Sequence, residues 1–318
     1  MRIGLHGFNV ASGLGTVNRQ LARFLPVECW RVVRHKRFPA LPMVDDVAEV
    51  GSVGELIDGC DVLLFAETPL ERGLLEAAKR AGRRIVCVPM QEWLPEDLGG
   101  WPSLVDLFIC PTYHCYRQFC YRLRCEHFAW PVDVEAFRFV CRETVRRFLF
   151  VDGHGGWRGR KGGAIVREAF GGSNLPLTVR TQRPRDWRGM VGVKVLGPVE
   201  DQADLYARGS VLIAPHAADG IGLELLEAMA SGLPVIATDG DPWRELPLLD
   251  RIPAGRYRQR IKREVDWYQP RPRALASVCR RWLGRSIAEA SANARHCAVE
   301  RAWKLLAPRF ARSVRGEQ

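Results

Sequence analysis

Apolar residues along this chain fall into short runs of about five, separated by stretches where they recur every three or four positions. These are the signatures of buried strands and of helices with one apolar face. Arg2–Gly7, Trp30–Arg34, Asp61–Phe65, Arg84–Pro89 and Leu107–Pro111 read as strands. Helices are predicted at about Thr16–Leu25, at Leu70–Ala81 closed by Gly82, and at Tyr113–Leu123. Strands without a polar face, separated by helices, predict a parallel sheet covered on both sides. The alternation restarts at Arg146–Asp152 and continues through Leu177–Thr181, Val193–Leu196, Val211–Ala214 and Val235–Thr238. A second sheet follows, with the boundary between the two in Trp130–Thr144. Arg251–Arg263 reads as basic and irregular, and helices are expected at about Arg273–Leu283 and Ser286–Leu306.

Within the second half, Pro215–Asp239 (P-H-A-A-D-G-I-G-L-E-L-L-E-A-M-A-S-G-L-P-V-I-A-T-D) carries the sharpest chemical signal. It reads as strand end, Gly-rich turn, helix from Leu223 to Ala230, turn at Ser231-Gly232, and strand. Backbone N–H groups at a helix start, projecting from the carboxyl end of a strand, suit a diphosphate. Glu227 lies one turn further on, within reach of a ribose hydroxyl pair.

This segment resembles the donor-binding signature of retaining glycosyltransferases of the GT-B fold, family 4 type, which reads E-G-F-G-L-x-x-L-E-A-M-A-x-G-x-P-V-I-A. The family's two acidic residues, eight positions apart, are matched by Asp219 and Glu227. The resemblance implies two Rossmann-like α/β domains facing a cleft, with a last helix that crosses back to the N-terminal domain. It divides the chain into an acceptor-side domain at 1–135, a donor domain at 136–285, and a crossing helix with basic tail at 286–318. Pro131, Val132, Asp133 and Phe137 match the segment that commonly joins the family's domains, without its glycine. An ordinary βαβ unit binding another phosphate remains the alternative, because fold alone does not fix function.

A second donor signal is V-D-G-H-G-G-W-R-G-R-K-G-G-A-I-V-R-E-A-F at 151–170. It is similar to the family's G-R-x-x-x-x-K-G loop, whose arginine and lysine clamp the donor diphosphate. Lys161 carries over directly and would neutralise charge on the departing diphosphate. The arginine does not: His154 stands nearest its position, and Arg158 or Arg160 would supply the fork from a longer loop. The resemblance gives Gly220, Ile221, Gly222 and Leu223 the diphosphate through their amides, Glu227 the ribose and Asp219 the sugar. Asp219 is one methylene shorter than the family's glutamate, and a helix-capping aspartate is its plainer reading.

Near the N-terminus, Gly13 and Gly15 in Ser12–Thr16 allow close backbone approach to a phosphate or sugar. His6 and Asn9 border the same side of the cleft that the resemblance implies, His6 read as a satisfied structural histidine. Where many family members carry a histidine, residues 87–95 offer Gln91 or Glu92. Glu92 is the candidate base, although front-face transfer of the retaining kind leaves the proton to the departing diphosphate. Asp239-Gly240-Asp241 spells the metal motif of a different glycosyltransferase fold, and neither a metal nor a cofactor beyond the donor is expected.

Charge sharpens the question of the acceptor. The net charge of the 318 residues is +11, yet 251–318 contain 17 Lys+Arg against 5 Asp+Glu while 1–250 are nearly balanced. An anionic partner is expected there, a nucleic acid or an anionic membrane surface. Three functions follow: transfer from a nucleoside-diphosphate sugar (uridine first, guanosine next) to a lipid or glycan hydroxyl; transfer to hydroxymethylated bases of DNA, as in phage enzymes; or a catalytically silent nucleotide-sugar binder. Tyr257, Trp267 and Tyr268 interleave with arginines, as base-stacking residues would. The cysteines at 110, 115, 120 and 125 would not share a helix face, do not match zinc knuckles, and read as reduced thiols. The first strand starts at Arg2 without a cleavable leader and no run of 18 apolar residues occurs, so a cytoplasmic location is expected, with a membrane-peripheral one as its variant.

Overall fold

In the computed structural model, which describes residues 1–199 and 201–317, strands that are buried at the sheet centres and more exposed at the edges alternate with helices. The first sheet is built from β1 (Ile3–Phe8), β2 (Val27–Val33), β3 (Ala48–Glu49), β4 (Val62–Ala66), β5 (Arg84–Val88), β6 (Leu107–Cys110) and β7 (Cys125–His127). Its order is β3-β2-β1-β4-β5-β6-β7, every neighbour parallel. The connecting helices are α1 (Gly13–Phe24), α2 (Val53–Gly59), α3 (Leu74–Arg80) and α4 (Tyr113–Phe119).

The second sheet repeats that winding. β8 (Phe148–Gly153), β9 (Leu177–Thr181), β10 (Val193–Leu196), β11 (Val211–Ala214), β12 (Val235–Thr238) and β13 (Asp250–Ile252) run in the order β10-β9-β8-β11-β12-β13, again parallel. Helices α5 (Gly163–Phe170) and α6 (Leu223–Ala230) follow β8 and β11. β14 (Ala254–Arg260) and β15 (Glu264–Pro270) form a separate two-stranded sheet, and α7 (Pro272–Trp282), α8 (Ala288–Glu300) and α9 (Trp303–Arg315) close the chain. Phe148, Phe150, Val166, Phe170, Ile213 and Ile236 form a core that clamps β8 and α5 to β11 and β12. Each buried phenylalanine contributes about 1.5–3 kcal/mol.

By contacts the chain divides into one unit of residues 1–130, 260–265 and 303 onward, and a second of 131–259 and 266–302. The sequence-based division at 135 and 285 is thus displaced. Residues 286–302 belong with the second unit, and α9 alone counts with the first, as a helix returning to the N-terminal domain would.

The expected single helix over Ser286–Leu306 is two. The chain leaves helical geometry at Arg301, whose carbonyl accepts the Val132 amide. Beyond the break, fully buried Trp303 stacks on Phe24 at 5.3 Å and meets Trp130 edge-on at 5.4 Å. The helix expected from Leu70 begins only at Leu74, after Gly73 in the left-handed region at φ +78°. Arg251–Arg263 is not irregular. It supplies most of β13 and all of β14, which hydrophobic patterning missed because most side chains of β14 are exposed. The short β3, α2 and β7 were likewise not predicted.

Among the described residues no helix is long and apolar enough to cross a membrane. All ten cysteines are free. Cys110 ends β6 and Cys115 lies in α4, in the strand and helix expected there, while Cys125 starts β7; the Cys115 and Cys125 thiols are both in hydrogen-bonding reach of Cys110.

Candidate functional site

In the second sheet the winding reverses between β8 and β11. Ligands of such folds bind where the loops leave the carboxyl ends of these two strands. The loop after β8 is rich in glycine because its backbone is unusual. Gly153, Gly155, Gly156, Gly159 and Gly162 all have positive φ, as does Arg158 at φ +50°. At Gly162 a Cβ would lie 2.2 Å from the Pro215 carbonyl oxygen, so only glycine lets this loop touch the one after β11. The Ala217 amide then donates to the Arg160 carbonyl at 2.7 Å, and Lys161 is delivered to the second loop.

The second loop turns on Asp219, whose Oδ1 accepts the amides of Ile221 (3.3 Å) and Gly222 (3.2 Å). Gly222, left-handed at φ +81°, starts α6. Two of the amides expected to meet a diphosphate are therefore directed at Asp219, which closes the turn ahead of the helix; it is not the helix cap, which is Gly222 without a side-chain cap bond. His216, fully buried, is fixed through its carbonyl by Thr238 Oγ1 at 2.7 Å and lies 5.8 Å edge-on from Trp243.

Side chains from both loops and α6 converge. Lys161 Nζ bonds Glu224 Oε2. Glu224 Oε1 lies 2.7 Å from His216 Nε2, and His216 Nδ1 lies 3.6 Å from Asp219 Oδ2. One turn on, Glu227 accepts from Tyr206 Oη at 2.7 Å and Gln202 Nε2 at 2.9 Å. Burial pushes the Asp219 carboxyl up, but the neighbouring His216 ring and the charges of Lys161 and Arg160 outweigh it and hold it well below the carboxylate range. Glu224 is lowered too, His216 and Lys161 prevailing over burial. Glu227 goes the other way: burial dominates, Glu224 adds repulsion, and its carboxyl is raised to about 7. Tyr206 is raised by burial and by Glu227.

Because the folded state holds the Glu227 proton more tightly than the unfolded chain, this group's contribution to stability declines as pH rises from about 4.5 to about 7. The expected cost at pH 8 is on the order of 3 kcal/mol. Glu227→Gln should therefore gain melting temperature relative to the unmutated protein between about pH 5 and pH 8. A difference that stays constant over that range would remove the assignment.

Lys161, Asp219, Glu227 and Gly220–Leu223 are thus gathered on one pair of loops and α6, all in the second unit. His154 is exposed after β8, its pKa lowered by partial burial and by Arg183. Arg158 occupies the left-handed turn, and Arg160 adds its charge to Asp219. Gly13, Gly15 and Glu92 belong to the first unit. A Cβ on Gly15 would lie 1.9 Å from the Val10 carbonyl oxygen, whereas one on Gly13 meets nothing within 4 Å. Glu92 is buried in the short turn Gln91–Trp93.

Three secondary readings change. His6 is buried but unsatisfied: neither ring nitrogen has a hydrogen-bond partner, and Glu71 lies 3.8 Å away. Asn9 is structural, bonded to Leu41 O at 2.9 Å and Arg19 at 2.9 Å. Trp267 and Tyr268 are buried, which leaves Tyr257 as the exposed one of the three aromatics.

Sequence reasoning missed His216, Glu224, Tyr206 and Gln202. His216 and Glu224 had weak signals, being three residues before Asp219 and three before Glu227. Tyr206 and Gln202 come from a separate turn, Gln202–Tyr206, and carried none. Two open surface grooves, one lined by Arg23, Phe24, Lys304, Arg312 and Arg315 and the other by residues around His35, share no residue with this cluster.

Residues 170–247 match the family described as glycosyl transferases group 1, a span that contains Gln202, Tyr206, His216, Asp219, Glu224 and Glu227. Curated protein sequences give no match. Among solved structures, HepE of Anabaena in complex with UDP is similar over 99% of this chain and 100% of its own, with TM-score 0.71 and 14% identity. A glycosyltransferase from Rickettsia africae is similar over 98% of both chains, with TM-score 0.69 and 11% identity. Sucrose-phosphate synthase from Thermosynechococcus elongatus is similar over 99% of this chain and 98% of its own, with TM-score 0.68 and 13% identity. The chain has the two Rossmann-like α/β domains of the GT-B fold, and it carries a glycosyltransferase domain over residues 170–247.

Proposed function

We propose that the protein is a retaining glycosyltransferase of the family 4 type that moves a sugar from a UDP-sugar to a hydroxyl of an anionic acceptor. The observation that carries this reading is the convergence of Lys161, Asp219 and Glu227 at the carboxyl ends of the two switch-point strands. Uridine is favoured as the base because similar folds are described in complex with UDP and with UDP-glucose. Glu227 holds the ribose, Lys161 the diphosphate and Asp219 the sugar. As the anomeric C–O bond to the diphosphate breaks, the acceptor oxygen attacks the same face and its proton passes to the departing diphosphate. Lys161 stabilises the charge that develops there. Glu92 is not needed as a base in this scheme.

The acceptor class rests on charge. Among the described residues, the groove containing Arg23, Lys304, Arg312 and Arg315 has no carboxylate in its lining. Hydroxymethylated DNA is a second acceptor reading, favoured by Arg256, Arg258 and Arg260, whose side chains are 64–68% exposed around Tyr257 on β14.

Thermal unfolding against UDP, GDP, ADP and their sugar conjugates tests the donor. Ligand at 100 times its Kd stabilises by about 2.7 kcal/mol. A shift with UDP and UDP-sugars is expected. No shift with any nucleotide would sink the donor reading, including its form as a silent binder. Incubating the active UDP-sugar with hydroxymethylated DNA or with anionic glycolipid then separates the two acceptors by which one gains sugar.

A further inference from the structure

The diphosphate residue of that reading, Lys161, already has a partner. Its ammonium bonds Glu224, and the same carboxylate reaches His216 Nε2 at 2.7 Å. Glu224 lies in the first turn of α6, where a helix start favours an anion. Its side chain is only 9% exposed, and His216 and Lys161 keep it ionised against the cost of burial. The nearby amides of Ile221 and Gly222 donate to Asp219. Two of the chain's own carboxylates thus hold groups that an incoming anion needs.

We propose that Glu224 is an internal competitor for the donor's diphosphate, displaced from Lys161 when the nucleotide binds and weakening the hold on the nucleoside diphosphate left after transfer. This rests on the donor-site reading above. A diphosphate carries at least two charges, and burial keeps water from screening it against a neighbouring carboxylate. A carboxylate that merely positioned Lys161 would have the opposite effect, since its loss would loosen the ligand. The competitor sets a compromise: donor affinity is limited, and product leaves faster.

The experiment measures Kd for UDP and for uridine on the unmutated protein and on Glu224→Gln, by calorimetry or ligand-detected NMR. Glutamine keeps the size and a carbonyl for Lys161 while removing the charge. UDP should bind roughly tenfold tighter or more, with uridine within about twofold. If the glutamine variant does not fold, Glu224→Asp, which withdraws the charge by one methylene, should give a smaller tightening in the same direction. Unchanged or weaker UDP binding in a folded variant overturns the proposal while leaving the donor site standing. An unmutated protein that binds neither UDP nor uridine overturns the donor reading and this inference with it.

Discussion

Lys161→Met is expected to lower kcat/KM for sugar transfer by roughly 10²–10³-fold, most of it in kcat. Methionine keeps most of the length and apolar stem of lysine and removes the ammonium with its charge and donors. That charge matters more in the transition state than before it, because the diphosphate oxygen gains negative charge as the anomeric bond breaks. The site magnifies the effect: the Lys161 side chain is 22% exposed, on a loop pinned by the Ala217–Arg160 bond, so water is a poor substitute. The variant also leaves Glu224 with His216 as its remaining contact, and the melting temperature should fall as well. Kinetics are therefore compared at a temperature where circular dichroism shows both proteins folded. A variant whose KM rises with kcat unchanged would confine Lys161 to ground-state binding, and unchanged kinetics would remove it from the site.

What the sequence revealed and what it concealed differ for physical reasons. Strands such as β4 and β11, buried on every residue, announce themselves as uninterrupted apolar runs, and the parallel architecture follows from them. The turn 219–222 was legible because glycine at 222 and a short acidic residue before it are what such a strand-to-helix turn requires. Glu227 followed from its place one turn beyond the helix start, whereas Lys161 came from the resemblance of residues 151–170 to a family loop. The ion network was not legible, since Glu224 meets Lys161 only because two loops 63 residues apart touch. Tyr206 and Gln202, which donate hydrogen bonds to Glu227, arrive from a turn with no periodicity and no motif. The basic stretch after Arg251 failed for another reason: a strand with most of its side chains in solvent shows no hydrophobic alternation, so charge hid the β-structure. The break before Trp303 was hidden because helix propensity runs on through Arg301, and tertiary burial of the indole overrides it.

Gly162→Ala is expected to destabilise the protein by about 3 kcal/mol or more, a large effect for one methyl group. Two costs combine. The backbone at φ +80° lies in the region that side chains disfavour, and the new Cβ would stand 2.2 Å from the Pro215 carbonyl oxygen. That oxygen belongs to the main chain at the end of β11, so no rotamer change relieves the collision, and one of the two loops must move. Gly172→Ala separates the costs, because its φ is +71° but nothing lies within 4 Å of its Cβ. It should lose only about 1 kcal/mol from backbone strain. Urea unfolding of the two variants gives the difference, and equal midpoint shifts would show that the loops do not depend on close approach at Gly162. If separation of the loops is the consequence, the Ala217–Arg160 bond breaks first and Lys161 withdraws from Glu224 and Asp219. Gly162→Ala protein that remains folded at low temperature should then lose its thermal shift with UDP, while Gly172→Ala keeps it. The glycine would thus set the distance between a cation from one switch-point loop and the carboxylates of the other, and it is that distance, rather than any single side chain, on which the charge chemistry of the site depends.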